Sequence, residues 1–379
     1  MKIIHTSDWH LGQNLIRHSR EKEHKEFLSW LLKTLQEKEI ELLLISGDIF
    51  DTVTPPNSAL TLYYDFLSET KKIESLKKVV VVAGNHDSIY NLSAPKQLLE
   101  NLNIKVVASG ENLDDEILHI PDFGIVCAVP YLRDGVLKKF KSGETSSERS
   151  TQIQNGLQKH YEELYKKARE ISEDLPVIAT GHLTTLRGEI GDGERNIYIG
   201  NLDGVPSEIF KDFDYVALGH LHKCQKVSEK IYYSGSPIPL TFKEAKNKQF
   251  VMFYNSGEIE KIEVPRFREI VSISTNLQNL DAELSKLEPE SFVEVFILDE
   301  FGEYARNQIS DISKNHDLHI LSERFDYKKV EDENVEKEEK IVNLNTVKHE
   351  DIFLELFEKS ERKDSLLQKY REIVEEIEI

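Results

Sequence analysis

Five short apolar runs, each ending in a glycine, aspartate or histidine signature, constrain this chain more than any other feature. Residues 2–6 lead into Asp8-Trp9-His10, residues 42–46 into Gly47-Asp48 and residues 79–83 into Gly84-Asn85-His86-Asp87. Residues 177–180 lead into Gly181-His182, and residues 215–218 into Gly219-His220-Leu221-His222. Apolar runs this short and this continuous read as strands buried on both faces. Helical stretches lie between them, so the expected class is α/β, with a central sheet covered by helices on both faces. Polar residues at the strand ends of such a sheet converge on one rim, the usual place for a site in an open α/β fold. A single HxH or GNHD would say little. Five in this order, each at a predicted strand end, predict one shared site.

The residue types say what that site handles. Carboxylate, imidazole and amide oxygen suit Mn²⁺, Fe²⁺, Zn²⁺ or Mg²⁺, and thiolate is absent from the signatures. Asp8 and His10 are expected to alternate on an extended segment and so to point the same way. His220 and His222 share that spacing, which lets the two rings serve neighbouring ions. Asp48 is the candidate bridge, because one carboxylate can give an oxygen to each of two cations. Two cations roughly 3.5–4 Å apart can clamp the attacking and leaving oxygens of a phosphoryl displacement and lower the pKa of bound water. The residues thus point to a two-metal phosphoesterase. The glycines beside Asp48, Asn85, His182 and His220 fit tight turns and close approach of backbone to the metals.

In this order the signatures resemble the calcineurin-like metallophosphoesterase superfamily, whose pattern is D-x-H, G-D, G-N-H-[DE], G-H and G-H-x-H. Further segments resemble, within it, the SbcD family, the nuclease subunits of bacterial SbcCD complexes. They begin with Thr6-Ser7-Asp8-Trp9-His10-Leu11-Gly12, then Arg20, Glu23 and His24 leading into Phe27-Leu28-Ser29-Trp30-Leu31. Gly47-Asp48-Ile49-Phe50-Asp51-Thr52 and Pro55-Pro56 follow, then Val129-Pro130-Tyr131-Leu132-Arg133. Tyr233-Ser234-Gly235-Ser236-Pro237-Ile238-Pro239-Leu240 is the most discriminating, since it lies outside the metal signatures.

The resemblance implies a metallophosphoesterase β-sandwich flanked by helices, with a small α+β capping domain and a C-terminal helical tail. It implies two divalent ions per chain, with Mn²⁺ the expected metal. Asp8, His10, Asp48 and His222 would hold the first, and Asp48, Asn85, His182 and His220 the second. His86 is implied to stand beside the metals without ligating them, where it stabilises the pentavalent phosphate or protonates the leaving oxygen. Asp87 would orient His86 through a carboxylate–imidazole hydrogen bond. Some archaeal relatives have a histidine where this chain has Asp51, so no histidine role carries over there. The segment 88–92 lacks an arginine that some relatives carry just before the leucine, and no DNA contact is carried over to it.

The implied activity is Mn²⁺-dependent hydrolysis of DNA phosphodiesters, as a double-strand 3′–5′ exonuclease and a single-strand and hairpin endonuclease. It would serve DNA end processing, repair and recombination. The implied partners are DNA, the SMC-like ATPase SbcC and a second copy of the chain, forming a homodimer within a heterotetramer. Two rival readings use the same fold. A stand-alone phosphatase or cyclic-nucleotide phosphodiesterase predicts good turnover of small phosphoesters and no use for the tail. A non-catalytic scaffold could shed ligands freely, whereas every ligand position here is filled and His86 is present.

Composition fits an enzyme expected in the cytoplasm, at the nucleoid. Cys127 and Cys224 make neither a disulfide framework nor a thiolate zinc site. The first signature follows the N-terminus too closely for a signal peptide, and no apolar run approaches membrane-spanning length. The formal net charge of −20 argues against strong DNA binding by this chain alone, because non-specific affinity comes from cationic neutralisation of phosphates. Residues 331–379 carry 16 acidic and 8 basic residues, so −8 lies in the tail and −12 in residues 1–330. Lys138, Lys139 and Lys141 form a local basic run that reads as a solvated face.

The catalytic unit is expected over residues 1–265, with helices at 21–39, 56–71 and 145–173. Phe27, Leu28, Leu31, Leu32 and Leu35 line one face of the first helix, and Leu60, Tyr63, Tyr64 and Leu67 one side of the second. Both stripes read as packing on the sheet, and the resemblance puts a homodimer interface in this region. Residues 188–204 form a glycine-rich charged loop beside His182. Residues 266–327 read as a βαβαβ unit at the position of the capping domain, and residues 328–348 as a charged linker. Residues 349–379 carry two amphipathic stripes, the first including Phe353 and Phe357, the second Leu367, Tyr370 and Val374. The resemblance makes them the helix–loop–helix that docks on the ATPase; the alternative is that they fold back on their own domain. His5 is expected in the core or just behind the ligands, and Trp9 behind the site. His119, His160, His316, His319 and His349 are expected at the surface.

Overall fold

The computed structural model describes residues 1–137, 146–185, 204–298 and 303–325. The lysine run, nearly all of the glycine-rich loop, the linker and the tail with Phe353, Phe357, Leu367, Tyr370 and Val374 lie outside the described residues.

The apolar runs are strands, but they belong to two sheets and not to one central sheet. The first sheet has the order Glu258–Glu263, Phe250–Asn255, Lys2–Thr6, Leu42–Ser46, Lys78–Val82, Ile104–Val107. The second has the order Gln225–Lys226, Ile231–Tyr233, Tyr215–Gly219, Val177–His182, Gly124–Cys127, Ile117–Ile120. Their inner faces share one core, in which Ile3, Leu44 and Val80 meet Ile178, Tyr215 and Ala217. Alternate residues of the same strands, such as Ile4, Leu43 and Val81, face outward into a second core. That core is closed by the helices Glu21–Glu37 and Asn57–Thr70 through Phe27, Leu31, Tyr63 and Leu67. The helix Ser146–Ile171 covers the other sheet in the same way, through Leu157, Tyr161 and Leu164. Strands covered on both faces lose period-two alternation, which is why the two sheets look alike in the sequence. The β-sandwich flanked by helices is therefore the architecture observed.

The region beyond Arg268 forms three parallel strands, Ile270–Thr275, Ser291–Ile297 and Leu318–Phe325, joined by the helices Leu277–Leu284 and Glu303–Ser313. Parallel pairing needs crossover connections, and the two helices supply them, so this unit is α/β in place of the expected α+β. Its own core includes Leu280, Val293, Val295 and Ile309. Arg268 fixes it to the sandwich: Nε lies 3.0 Å from Glu23 Oε1, and the guanidinium sits over the Phe292 ring at 4.4 Å.

His5 ties the sheets together. Its Nε2 lies 3.0 Å from the Leu218 carbonyl and its Nδ1 3.0 Å from the Tyr215 hydroxyl. The carbonyl accepts, so Nε2 carries the proton and Nδ1 takes the tyrosine O–H. Burial pushes the imidazole down from 6.5 to about 3. In the unfolded chain the ring binds its proton first as pH falls, so its contribution is present above pH 6.5 and is lost toward pH 3. The slope is about 1.4 kcal/mol per pH unit. Between pH 6.5 and 5 wild type should lose about 2 kcal/mol more than His5→Gln, read from urea unfolding. Parallel pH profiles for the two proteins would clear His5 of that role.

Candidate metal centre

The signatures sit where the chain leaves its strands through single left-handed residues. Asp8 has φ 53°, His10 φ 47°, Asp48 φ 49° and His220 φ 97°. Asp and His visit this region more readily than most non-glycine residues. Asp8 and His10 therefore converge through two left-handed residues, correcting the expectation of an extended alternating segment. The signature glycines are required by space, Gly84 and Gly47 among them. A Cβ on Gly84 would lie 2.1 Å from Asp48 Oδ1, and one on Gly47 2.2 Å from His182 Nδ1.

All seven residues expected to be ligands are brought together. Asp8, His10 and His222 form one group of mutually close ligand atoms, and Asp48, His182 and His220 form another. Asn85 completes the second group. Its Oδ1 lies 3.0 Å from His182 Nε2 and 3.0 Å from His220 Nδ1. Two donors about 2.1 Å from one octahedral ion and at right angles are separated by about 3.0 Å, so this spacing suits a shared cation. The two groups meet at Asp48, whose Oδ2 is 3.7 Å from His10 Nε2 and 3.2 Å from His182 Nε2. His10 adds a second sign of fit. Its ring is buried, yet Nε2 makes no hydrogen bond, its nearest carboxylate being Asp48 Oδ2 at 3.7 Å. Buried polar atoms are normally satisfied, and a ligated cation would satisfy Nε2.

The electrostatics ask for positive charge. Burial alone would raise the Asp48 carboxyl, but His182 and the neighbouring imidazoles hold it well below the usual carboxylate range. Burial works against a charged His182, yet Asp48 outweighs it and holds the ring at about 9. A carboxylate that keeps a proton on a buried histidine is one that a divalent cation would serve better. Burial, with His182 beside it, pushes His220 down to about 3, leaving a neutral imidazole suited to ligation.

Histidine rings need their second nitrogen held, and for three of the four ligand histidines the structure shows a neighbour that can do so. His182 Nδ1 donates to the Ser46 carbonyl at 2.9 Å. His10 Nδ1 is 3.2 Å from Asp51 Oδ1, and His222 Nδ1 is 3.5 Å from Glu244 Oε1. Asp51 and Glu244 stand against ligand histidines, contacts that reading the sequence did not predict. Asp51 follows a metal signature by three positions, so a signal was there; Glu244 lies 22 residues beyond His222 with no motif of its own.

His86 stands beside the first group, its ring 5.0 Å from that of His10, and its backbone N–H donates to Asp48 Oδ1 at 2.9 Å. Its Nδ1 donates to the Asp51 carbonyl at 2.7 Å. The expected Asp87–His86 hydrogen bond is not what Asp87 makes. Its buried carboxylate accepts the backbone N–H groups of Gly84, Phe50 and Ile49 at 2.8, 3.0 and 3.2 Å. Adjacent residues in this tight turn point apart, so Asp87 staples the Gly84 turn to the Gly47 turn. Burial, with Asp48 nearby, raises the Asp87 carboxyl to about 6 against the pull of those N–H groups.

Trp9 is buried between Phe27 and Phe66, behind the site as expected. His160 departs from the surface expectation, with Nε2 2.7 Å from the buried Glu116 carboxylate. His316 is half-buried against Asp281, His119 and His319 are exposed, and His349 lies outside the described residues. Among the described residues no helix is long and apolar enough to cross a membrane.

Comparison with known proteins places this geometry. Residues 1–224 match the family described as calcineurin-like phosphoesterase. The chain is 35% identical over 339 residues to the D subunit of nuclease SbcCD from Escherichia coli K12, covering 85% of this chain and 84% of that one. It is 35% identical over 258 residues to the corresponding SbcCD nuclease chain of Rhodobacter capsulatus, covering 64% of each chain. With that of Bacillus subtilis the identity is 33% over 256 residues, covering 65% of this chain and 63% of the relative.

Proposed function

We propose, from the premise that this chain belongs to the calcineurin-like phosphoesterase family and within it to the SbcD nuclease subunits, that it is a Mn²⁺-dependent DNA nuclease acting with an SMC-like ATPase. The observation that carries the metal reading is Asp48, whose one carboxylate oxygen lies within 3.7 Å of an imidazole nitrogen from each ligand group. Asp8, His10, Asp48 and His222 would hold one Mn²⁺, and Asp48, Asn85, His182 and His220 the other. When bound, the pair neutralises the scissile phosphate and lowers the pKa of water held beside it.

The chain's own residues do the rest. Donation from His86 Nδ1 to the Asp51 carbonyl fixes the ring and commits Nε2 to the phosphate side. When the ring carries its second proton, Nε2–H can neutralise developing charge or deliver that proton to the leaving 3′ oxygen. Asp87 preserves the loop geometry that places Asn85 and His86 together. The unit at residues 266–327 is read as the cap that helps hold DNA over this rim.

Affinity for duplex DNA must be borrowed, because the chain is net acidic. The tail, with Phe353, Phe357, Leu367, Tyr370 and Val374, is proposed to dock on the ATPase, and the full assembly to be a heterotetramer built on a homodimer. One experiment tests the function and the tail together. Full-length protein and a truncation after Val347 are assayed with Mn²⁺ on single-stranded, hairpin and blunt duplex DNA, with and without the ATPase. Both should cut single strands alone. Only full-length protein should co-purify with the ATPase and gain ATP-stimulated cleavage of hairpins and duplex ends. Turnover of small phosphoesters with no cleavage of any DNA would favour the stand-alone phosphatase. Undiminished binding of the ATPase by the truncated chain would overturn the docking reading.

A further inference from the structure

The segment running from Ser234 to Glu244 grips the Asp8–His222 group at three points. Ser234 Oγ is 2.7 Å from Ser7 Oγ, and the Ser7 hydroxyl donates to Asp8 Oδ2. The Ser236 N–H donates to the His222 carbonyl at 3.0 Å. Gly235, at φ 75°, leaves room for that carbonyl, which a Cβ would approach to 2.5 Å. The third grip is Glu244. Its Oε1 lies 3.5 Å from His222 Nδ1, and its Oε2 accepts the Leu240 N–H at 2.9 Å.

The segment is itself held from outside. Buried Arg20 donates to the Pro239 carbonyl at 2.8 Å, and Gln13 to the Leu240 carbonyl at 3.2 Å. A frame held this firmly can set the angle of a ring. We propose that Glu244 is the positioning residue for His222: it accepts the Nδ1 proton, fixes the tautomer and leaves Nε2 as the ligand atom of the first metal group. The inference rests on the two-metal reading above. The 3.5 Å separation is long for a hydrogen bond, and such contacts commonly tighten when a site is loaded. An acceptor on the far nitrogen of a ligating histidine is the usual arrangement at metal sites, and Ser46 serves His182 in that way here. This gives the Tyr233–Leu240 motif a reason to lie outside the metal signatures: it builds the frame, not the ligand set.

Glu244→Gln separates this role from that of a loop cap. Its amide oxygen can still accept the Leu240 N–H, but its NH₂ then faces His222 Nδ1, a donor against a donor. The imidazole proton is driven to Nε2, the wrong atom for ligation. The test uses full-length protein stripped with chelator, titrated with Mn²⁺ by calorimetry and examined metal-free by long-range ¹H–¹⁵N spectra of its histidines. Wild type should bind two Mn²⁺ and show His222 as the Nδ1–H tautomer. Glu244→Gln should keep the wild-type Tm, switch the His222 tautomer and weaken one of the two Mn²⁺ sites by roughly 10–100-fold. Glu244→Ala should weaken the same site and also lower Tm, because the Leu240 N–H loses its acceptor.

An unchanged isotherm and tautomer in Glu244→Gln would overturn the proposal and leave Glu244 a loop cap. Equal weakening of both sites together with a fall in Tm would overturn it in favour of a general structural role. Wild-type protein that binds no Mn²⁺ would instead overturn the metal-centre reading, and this inference with it.

Discussion

Asp48→Ala is expected to bring hydrolysis of every phosphoester substrate to background and to leave fewer than two ions per chain by elemental analysis. Its carboxylate reaches both ligand groups, with Oδ2 3.7 Å from His10 Nε2 and 3.2 Å from His182 Nε2. Removing it also takes the counter-charge from His182, which Asp48 holds protonated, and the acceptor from the His86 N–H. Alanine at φ 49° adds a backbone cost of roughly 1–2 kcal/mol. Asp48→Asn is therefore the cleaner companion. Asparagine adopts the left-handed turn and can still accept the His86 N–H, while losing the charge that two cations would share. Both variants should retain near-wild-type circular dichroism and both should be inactive. Two retained ions with normal turnover in either would end the bridging assignment.

How much of this was legible in the sequence follows from what each contact depends on. Strand positions were readable because residues 42–45 and 79–83 are apolar without interruption, the mark of burial on both faces. The same property hid the partition into two sheets, since Leu44 and Ala217 meet across the sandwich but nothing local records it. Ligands at strand ends were readable because the topology brings the ends of parallel neighbours to one rim. The conformation of Asp8 and His10 was not, because spacing of two suggests extended chain and the actual geometry is a pair of left-handed residues.

Asp87 shows the same limit at closer range. The family resemblance implied a bond between the Asp87 and His86 side chains, whereas the Gly84 turn folds the carboxylate back onto the N–H groups of Ile49 and Phe50. Those N–H groups belong to the neighbouring strand end, so the role of Asp87 exists only once the first sheet has formed. Asp51 and Glu244 are further cases. Each faces a histidine nitrogen from a distant part of the chain, and such a carboxylate reads as solvated until the fold encloses it.

His86→Gln should keep both ions and depress turnover by about 10²–10⁴-fold, the usual worth of a positioned acid–base group. The ring stands next to His10 but donates to the Asp51 carbonyl, not to any member of the ligand groups. Its backbone N–H, which braces Asp48, survives the substitution. Glutamine can occupy much the same volume, yet it cannot carry a proton to an oxygen. Loss of an ion in this variant would make His86 a ligand and remove it from the chemistry. Two roles for the ring then separate by leaving group. If His86 protonates the leaving oxygen, the defect should be large on DNA, whose departing alkoxide is a poor leaving group, and small on a p-nitrophenyl phosphodiester, whose phenolate departs without help. If His86 instead neutralises charge on the phosphate, both substrates should suffer alike, because that charge develops whichever group departs. Metal content by elemental analysis and the ratio of the two turnover numbers together decide which role the ring plays.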